Sequence, residues 1–123
     1  MLINGLYKIT KQSEDLRCDE SQTGAKSIFD IELNPSHPIF DGHFPSEPVL
    51  PGVVSIQIIK ECCERIRGCR VVFSKIGQCK FPSAVNPVKN RMIKIEITLS
   101  DDNLRAEGSS DSGIFIKLKA KIR

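Results

Sequence analysis

At 123 residues, with 40% hydrophobic and 27% charged side chains, the chain suits one domain whose own core can hold it without metal or disulfides. A net charge of +3, with Lys and Arg spread along the sequence, argues against a nucleic-acid binder and is compatible with an acidic partner. No run is apolar enough to cross a bilayer, residues 1–5 lack signal-peptide character, and five cysteines without zinc-type spacing read as reduced thiols of a cytoplasmic protein.

In chain order, the first expected strand covers residues 6–10. The second, Ala25–Leu33, sets Ser27, Phe29, Ile31 and Leu33 on one face and stops at the turn signal Asn34-Pro35. His37 precedes Pro38 and is expected to be extended and partly exposed. Residues 37–53 carry four prolines and two glycines, a stiff connection suited to aiming a side chain.

The period then changes. Over 51–67, Val53, Ile56, Ile59, Cys63 and Ile66 recur at helical steps and predict the buried face of one long helix. Pro51 suits its first turn and Gly68 its C-terminal stop. Charged residues crowd the second half of the helix, so the first half is expected to be the more buried. Shorter strands are expected at 70–74 and 104–108. Residues 91–99 alternate Ile93, Ile95, Ile97 and Leu99 with polar residues, the period-two pattern of a half-buried strand. Residues 114–122 repeat it, with Ile114, Ile116, Leu118, Ala120 and Ile122 opposite Phe115, Lys117, Lys119 and Lys121. Five or six antiparallel strands and one helix give an α+β domain over residues 1–123, its curved sheet covering the helix.

Chemistry concentrates before the helix. His43 stands just ahead of a helix N-terminus whose free amides, at Gly52 and Val53, can meet a carbonyl oxygen. A thioester held there gains acidity at its α-carbon, and a histidine with a near-neutral pKa is the natural base for that proton.

The string Gly42-His43-Phe44-Pro45, then Pro48, then Pro51-Gly52-Val53, resembles the active-site signature of the 3-hydroxyacyl-carrier-protein dehydratases, with likeness continuing to Lys80-Phe81 and Asn86-Pro87. The resemblance implies a hot-dog fold and a homodimer, or a higher assembly of dimers, with sites at the interface. It also implies a substrate carried in a tunnel on the phosphopantetheine of an acyl carrier protein, or as a CoA thioester, with no other cofactor and no metal. It gives His43 the catalytic role and makes Phe44, Pro51, Gly52 and Val53 substrate-binding residues. In that family a helix Glu or Asp, fourteen residues after the histidine, protonates the leaving hydroxyl; here that position is Gln57. An amide can hold a hydroxyl or water but has no proton to give at neutral pH. Gln57 is thus either a substrate-holding residue or an amide that satisfies a buried carbonyl.

Other residues read more plainly. Glu61 is expected to pair with Arg65 one turn on, Cys62 and Cys63 to be small buried residues, and Ser55 to be a packing residue. Lys117, Lys119, Lys121 and Arg123 are expected to form the solvated face of the last strand. The ordered readings are a dehydratase-like enzyme, a non-catalytic acyl-binding or heterodimer partner, and a thioesterase.

Overall fold

The computed structural model describes residues 5–15, 25–38, 49–100 and 102–123. Six strands and one helix follow in the order β1 (Tyr7–Asp15), β2 (Ala25–Leu33), α1 (Gly52–Arg67), β3 (Phe73–Lys80), β4 (Met92–Ser100), β5 (Asn103–Ser110) and β6 (Gly113–Ile122). The strands form one sheet in the order β1-β2-β4-β5-β6-β3, with every neighbouring pair antiparallel. The chain after β2 runs through α1 to β3 at the far edge before β4 returns to pair with β2, so the helix lies within the longest crossover.

Alternation decides which face is buried. Ser27, Phe29, Ile31 and Leu33 of β2 point inward as their spacing predicts, joined by Ile93, Ile95 and Ile97 of β4. Register shifts at Ile9/Lys11, Phe73/Lys75, Ile76/Gln78 and Gly108/Ser109 insert bulges, which bend a sheet and let it curl around a helix. The last of these changes the phase of β6. Phe115, expected on the polar face, is buried alongside Ile116, and its ring lies over Gly108, where an added Cβ would come within 2.6 Å of Phe115 Cζ.

The helix is present but rotated from its expected phase. Its core face is Val54, Ser55, Ile58, Ile59, Cys62 and Cys63, while Val53 is 75% exposed and Ile56 and Ile66 are half-buried. The apolar positions span more than one stripe, so sequence spacing allowed two phases and the sheet selected one. Gly68 ends the helix in the left-handed conformation (φ 71°), its N–H donating to Glu64 O at 2.8 Å.

Strand lengths also differ from expectation. β1 extends through Asp15, and β3 runs from Phe73 to Lys80 rather than over 70–74. β3 is an edge strand paired with β6, and its polar composition hides it from a hydrophobicity pattern. His37 is partly exposed as expected and closes a turn: its N–H donates to Asn34 O at 3.1 Å, while Ser36 N–H donates to Asn34 Oδ1 at 3.1 Å around Pro35.

Candidate active site

The N-terminus of α1 opens into an apolar groove of about 660 Å³. Gly52, Val53 and Ile56 of the helix form one wall, with Phe81, Val85 and Phe115 opposite. Two bonds lock its frame: Leu50 N–H donates to Val85 O at 2.9 Å, and Ser83 Oγ donates to Ile114 O at 2.7 Å. The Phe81 ring packs on Gly52: a Cβ there would approach Phe81 Cζ to 2.8 Å, so a larger residue would displace the ring. Phe81 is itself 50% exposed, and with Val53 it leaves an apolar rim in contact with solvent.

Pro51 sits at the N-cap in extended backbone and offers no side-chain cap. Its carbonyl accepts from Val54 N–H at 3.0 Å and Ser55 N–H at 3.1 Å. Gly52 and Val53 therefore carry the amides ahead of the first helical bonds, and the first turn holds no acidic side chain to neutralise their partial positive charge. This wall can receive an apolar chain whose carbonyl end reaches the helix terminus. Ser55 is buried, with its hydroxyl directed to Pro51 O at 3.5 Å, as a packing residue should be.

One turn beyond Val53, Gln57 is half-buried and donates from Nε2 to Glu61 Oε2 at 3.2 Å. Glu61 does not pair with Arg65 as expected. Its Oε1 accepts from Tyr7 Oη at 3.1 Å across from β1, while Arg65 Nε donates to Gln12 Oε1 at 2.9 Å. Burial, then the nearby Glu61 carboxylate, push the Tyr7 hydroxyl well above the ordinary tyrosine range, so it remains a donor throughout the working pH range. Tyr7 lies 54 residues from Glu61, and no local pattern could have signalled the contact. His43 and Phe44, which the motif resemblance makes catalytic and substrate-binding, lie outside the described residues, as does Cys18.

Cys62 and Cys63 are fully buried, and desolvation pushes each thiol from 9.0 up to about 12. They are core residues, not nucleophiles. A raised thiol pKa stabilises the fold while the thiol is protonated, fully below the ordinary value and progressively less above it. The thermal midpoint is therefore expected to fall as pH climbs from about 9 to about 12. Native alkylation is expected to mark exposed Cys69 and to reach Cys62 and Cys63 only on unfolding. Rapid native labelling of that pair would contradict their assignment to the core.

On the outer face of the sheet, pairing gathers cations that are dispersed in sequence. Lys75 lies opposite Lys121, and Arg105 opposite Lys119, while Lys117 stands between Lys80 of β3 and Glu107 of β5. Like charges directly opposed on neighbouring strands are unfavourable. The salt bridges among the described residues, Lys8–Glu32 at 3.4 Å and Lys26–Glu96 at 3.3 Å, lie on the other half of the sheet. The strand pattern thus predicted solvated lysines correctly but not their convergence. No helix among the described residues is long and apolar enough to cross a membrane.

Residues 19–115 match the family model of ApeI-like proteins, described as ApeI dehydratase. The chain is 24% identical over 114 residues to the 3-hydroxyacyl-[acyl-carrier-protein] dehydratase FabZ of Caldanaerobacter subterraneus subsp. tengcongensis, covering 86% of this chain and 81% of that protein. It is 31% identical over 98 residues to the FabZ of Macrococcus caseolyticus, covering 74% and 61%. Among solved structures, the dehydratase heterocomplex ApeI:P from Xenorhabdus doucetiae superimposes with a TM-score of 0.70 at 23% identity, over 92% of this chain and 98% of that one. An uncharacterized protein from Erwinia carotovora subsp. atroseptica gives 0.77 at 19% identity, over 96% of both chains. The sheet and helix are those of the hot-dog fold.

Proposed function

Because the chain belongs to the ApeI-like dehydratase family, we propose that it removes water from a 3-hydroxyacyl thioester carried on an acyl carrier protein, giving the trans-2-enoyl thioester. The observation that carries this reading is an apolar groove ending at a helix N-terminus whose N-cap, Pro51, stands eight residues after a histidine in a dehydratase-like motif. In this reading the acyl chain lies between Val53 and Phe81, and the Gly52 and Val53 amides polarise the thioester carbonyl. His43 takes the α-proton, leaving an enolate held at those amides, and its electrons then form the new double bond as the β-carbon–oxygen bond breaks. The oxygen departs as water, so it needs a proton. Gln57 has none to give, and the His43 imidazolium formed in the first step supplies it in this scheme.

The cations gathered on β5, β6 and β3 suit an anionic carrier, whether an acidic carrier protein or the phosphates of CoA. Fatty acid, polyketide and related lipid synthesis all supply substrates of this class. A second reading is a partner subunit that completes another chain's site. It is favoured by the amide at position 57 and by the edge strand β3, beside which Val72 and Ile76 are exposed.

Incubation with a 3-hydroxyacyl carrier protein separates the readings. The enzyme reading expects loss of one water with the thioester intact. Binding without conversion would support the partner role, and release of free thiol would show a thioesterase.

A further inference from the structure

The outer face of the sheet has two ends that treat their cations differently. At one end Lys117 of β6 faces Glu107 of β5, and Lys26 pairs with Glu96, so carboxylates answer the charge. At the other end Lys75 of β3 stands opposite Lys121 of β6, and Arg105 of β5 opposite Lys119. These four exposed cations surround a concavity of about 500 Å³. Thr98 and Asn103 add neutral donors to its wall, and none of the described residues that line it is acidic. It shares no lining residue with the apolar groove. Leu104, Leu118 and Ala120, which alternate with the cations, are buried on the opposite face of the sheet.

Neighbouring strands lie about 4.8 Å apart and alternate residues of one strand about 6.8 Å, so the four stems rise as near neighbours. Their mutual repulsion opposes folding, and one multivalent anion relieves every pair at once. Linked phosphates match the cluster. Their oxygens accept from the lysine ammoniums and, two at a time, from the Arg105 guanidinium. We propose that this concavity is a second binding site, for a ligand with two or more linked phosphates. It calls on no residue of the groove, so it stands or falls independently of the acyl-thioester reading. A free nucleoside diphosphate and the phosphates of CoA share the required chemistry.

Thermal unfolding and calorimetric titration at constant ionic strength test the site, with inorganic triphosphate as probe and sulfate as the simple anion. The strands bring these cations together only on folding, so a bound ligand raises the midpoint. Triphosphate is expected to do so and to bind about tenfold more tightly than sulfate. Lys75→Gln with Lys121→Gln should weaken triphosphate by about tenfold. Lys80→Gln with Lys117→Gln removes the same charge at the compensated end and should leave it within about twofold. The unliganded midpoint of either variant, no lower than that of the wild type, shows that it folds. An equal loss in both variants would reduce the effect to net charge and overturn the site, as would equal stabilisation by sulfate. Absence of triphosphate binding, with an acidic carrier protein held by the same lysines, would overturn it in favour of a docking surface. ADP and a non-hydrolysable octanoyl-CoA analogue separate the two sources, and binding of either supports the phosphate site. Equal affinities assign it to free nucleotides; tighter binding of the analogue, lost in Phe81→Ala, assigns it to a thioester whose acyl arm reaches the groove.

Discussion

Replacing Gln57 by glutamate is expected to raise the rate of water loss by about two to four orders of magnitude, the usual worth of a general acid. The substitution returns a carboxyl to the position where the resemblance expects one. Its neighbour decides its protonation. Gln57 Nε2 stands 3.2 Å from Glu61 Oε2, so a carboxylate introduced there would face a second carboxylate at hydrogen-bond distance. Two such groups share one proton, and the pair's upper apparent pKa is raised above the ordinary carboxylate range. The proton is therefore retained toward neutral pH, available to a leaving hydroxyl. Activity of the variant should be high below that raised pKa and fall as pH rises through it. Adding Glu61→Gln removes the like charge, and the descending limb should then move to lower pH. A Gln57→Glu protein no faster than the wild type would show that this position does not face the departing oxygen.

Truncating Phe29 to alanine is expected to destabilise the domain by about 3–5 kcal/mol, a large share of the roughly 5–15 kcal/mol that holds a domain of this size. Phe29 has no exposed surface and sits on β2, an interior strand whose register places it opposite Ile95 of β4. Removal of the ring leaves a cavity between the sheet and α1, whose Ile58 and Ile59 are also fully buried. Denaturant unfolding should show a lower midpoint with an unchanged slope. By contrast, Phe81→Ala removes a half-exposed ring from the groove rim and should weaken apolar ligand binding more than stability. A Phe29→Ala protein within about 1 kcal/mol of the wild type would mean that the core is assigned wrongly.

The inner faces of β2 and β4 were legible because period-two alternation records a sheet with one side buried, and Ser27 to Leu33 and Ile93 to Ile97 obey it. The limits of α1 were legible from Pro51 and Gly68. Its rotation was not, because Val53, Val54, Ile56, Ile58 and Ile59 satisfy two helical stripes and only the packed sheet distinguishes them. β3 was foreshortened because Ser74, Lys75, Gly77 and Gln78 lack an apolar pattern, and an edge strand needs none. At the site, the motif indicated Pro51, Gly52 and Val53; Pro51 is the N-cap of α1, and Gly52 and Val53 line an apolar groove. The Tyr7–Glu61–Gln57 chain was invisible because it joins β1 to α1 across more than fifty residues. Glu61 was instead matched to Arg65, its near neighbour in sequence, which the fold directs to Gln12.

In the proposed reaction this groove acidifies the α-carbon of an acyl thioester beside a histidine base, with no acid at position 57. Mass spectrometry of a 3-hydroxyacyl carrier protein held in deuterated water tests it most directly. The wild type is expected to introduce deuterium at the α-carbon faster than it releases water, since proton removal needs only the base and the amides. His43→Ala should abolish that exchange. A wild-type protein that binds the substrate and exchanges no α-proton, or a His43→Ala protein that exchanges it as fast as the wild type, would contradict the proposed reaction.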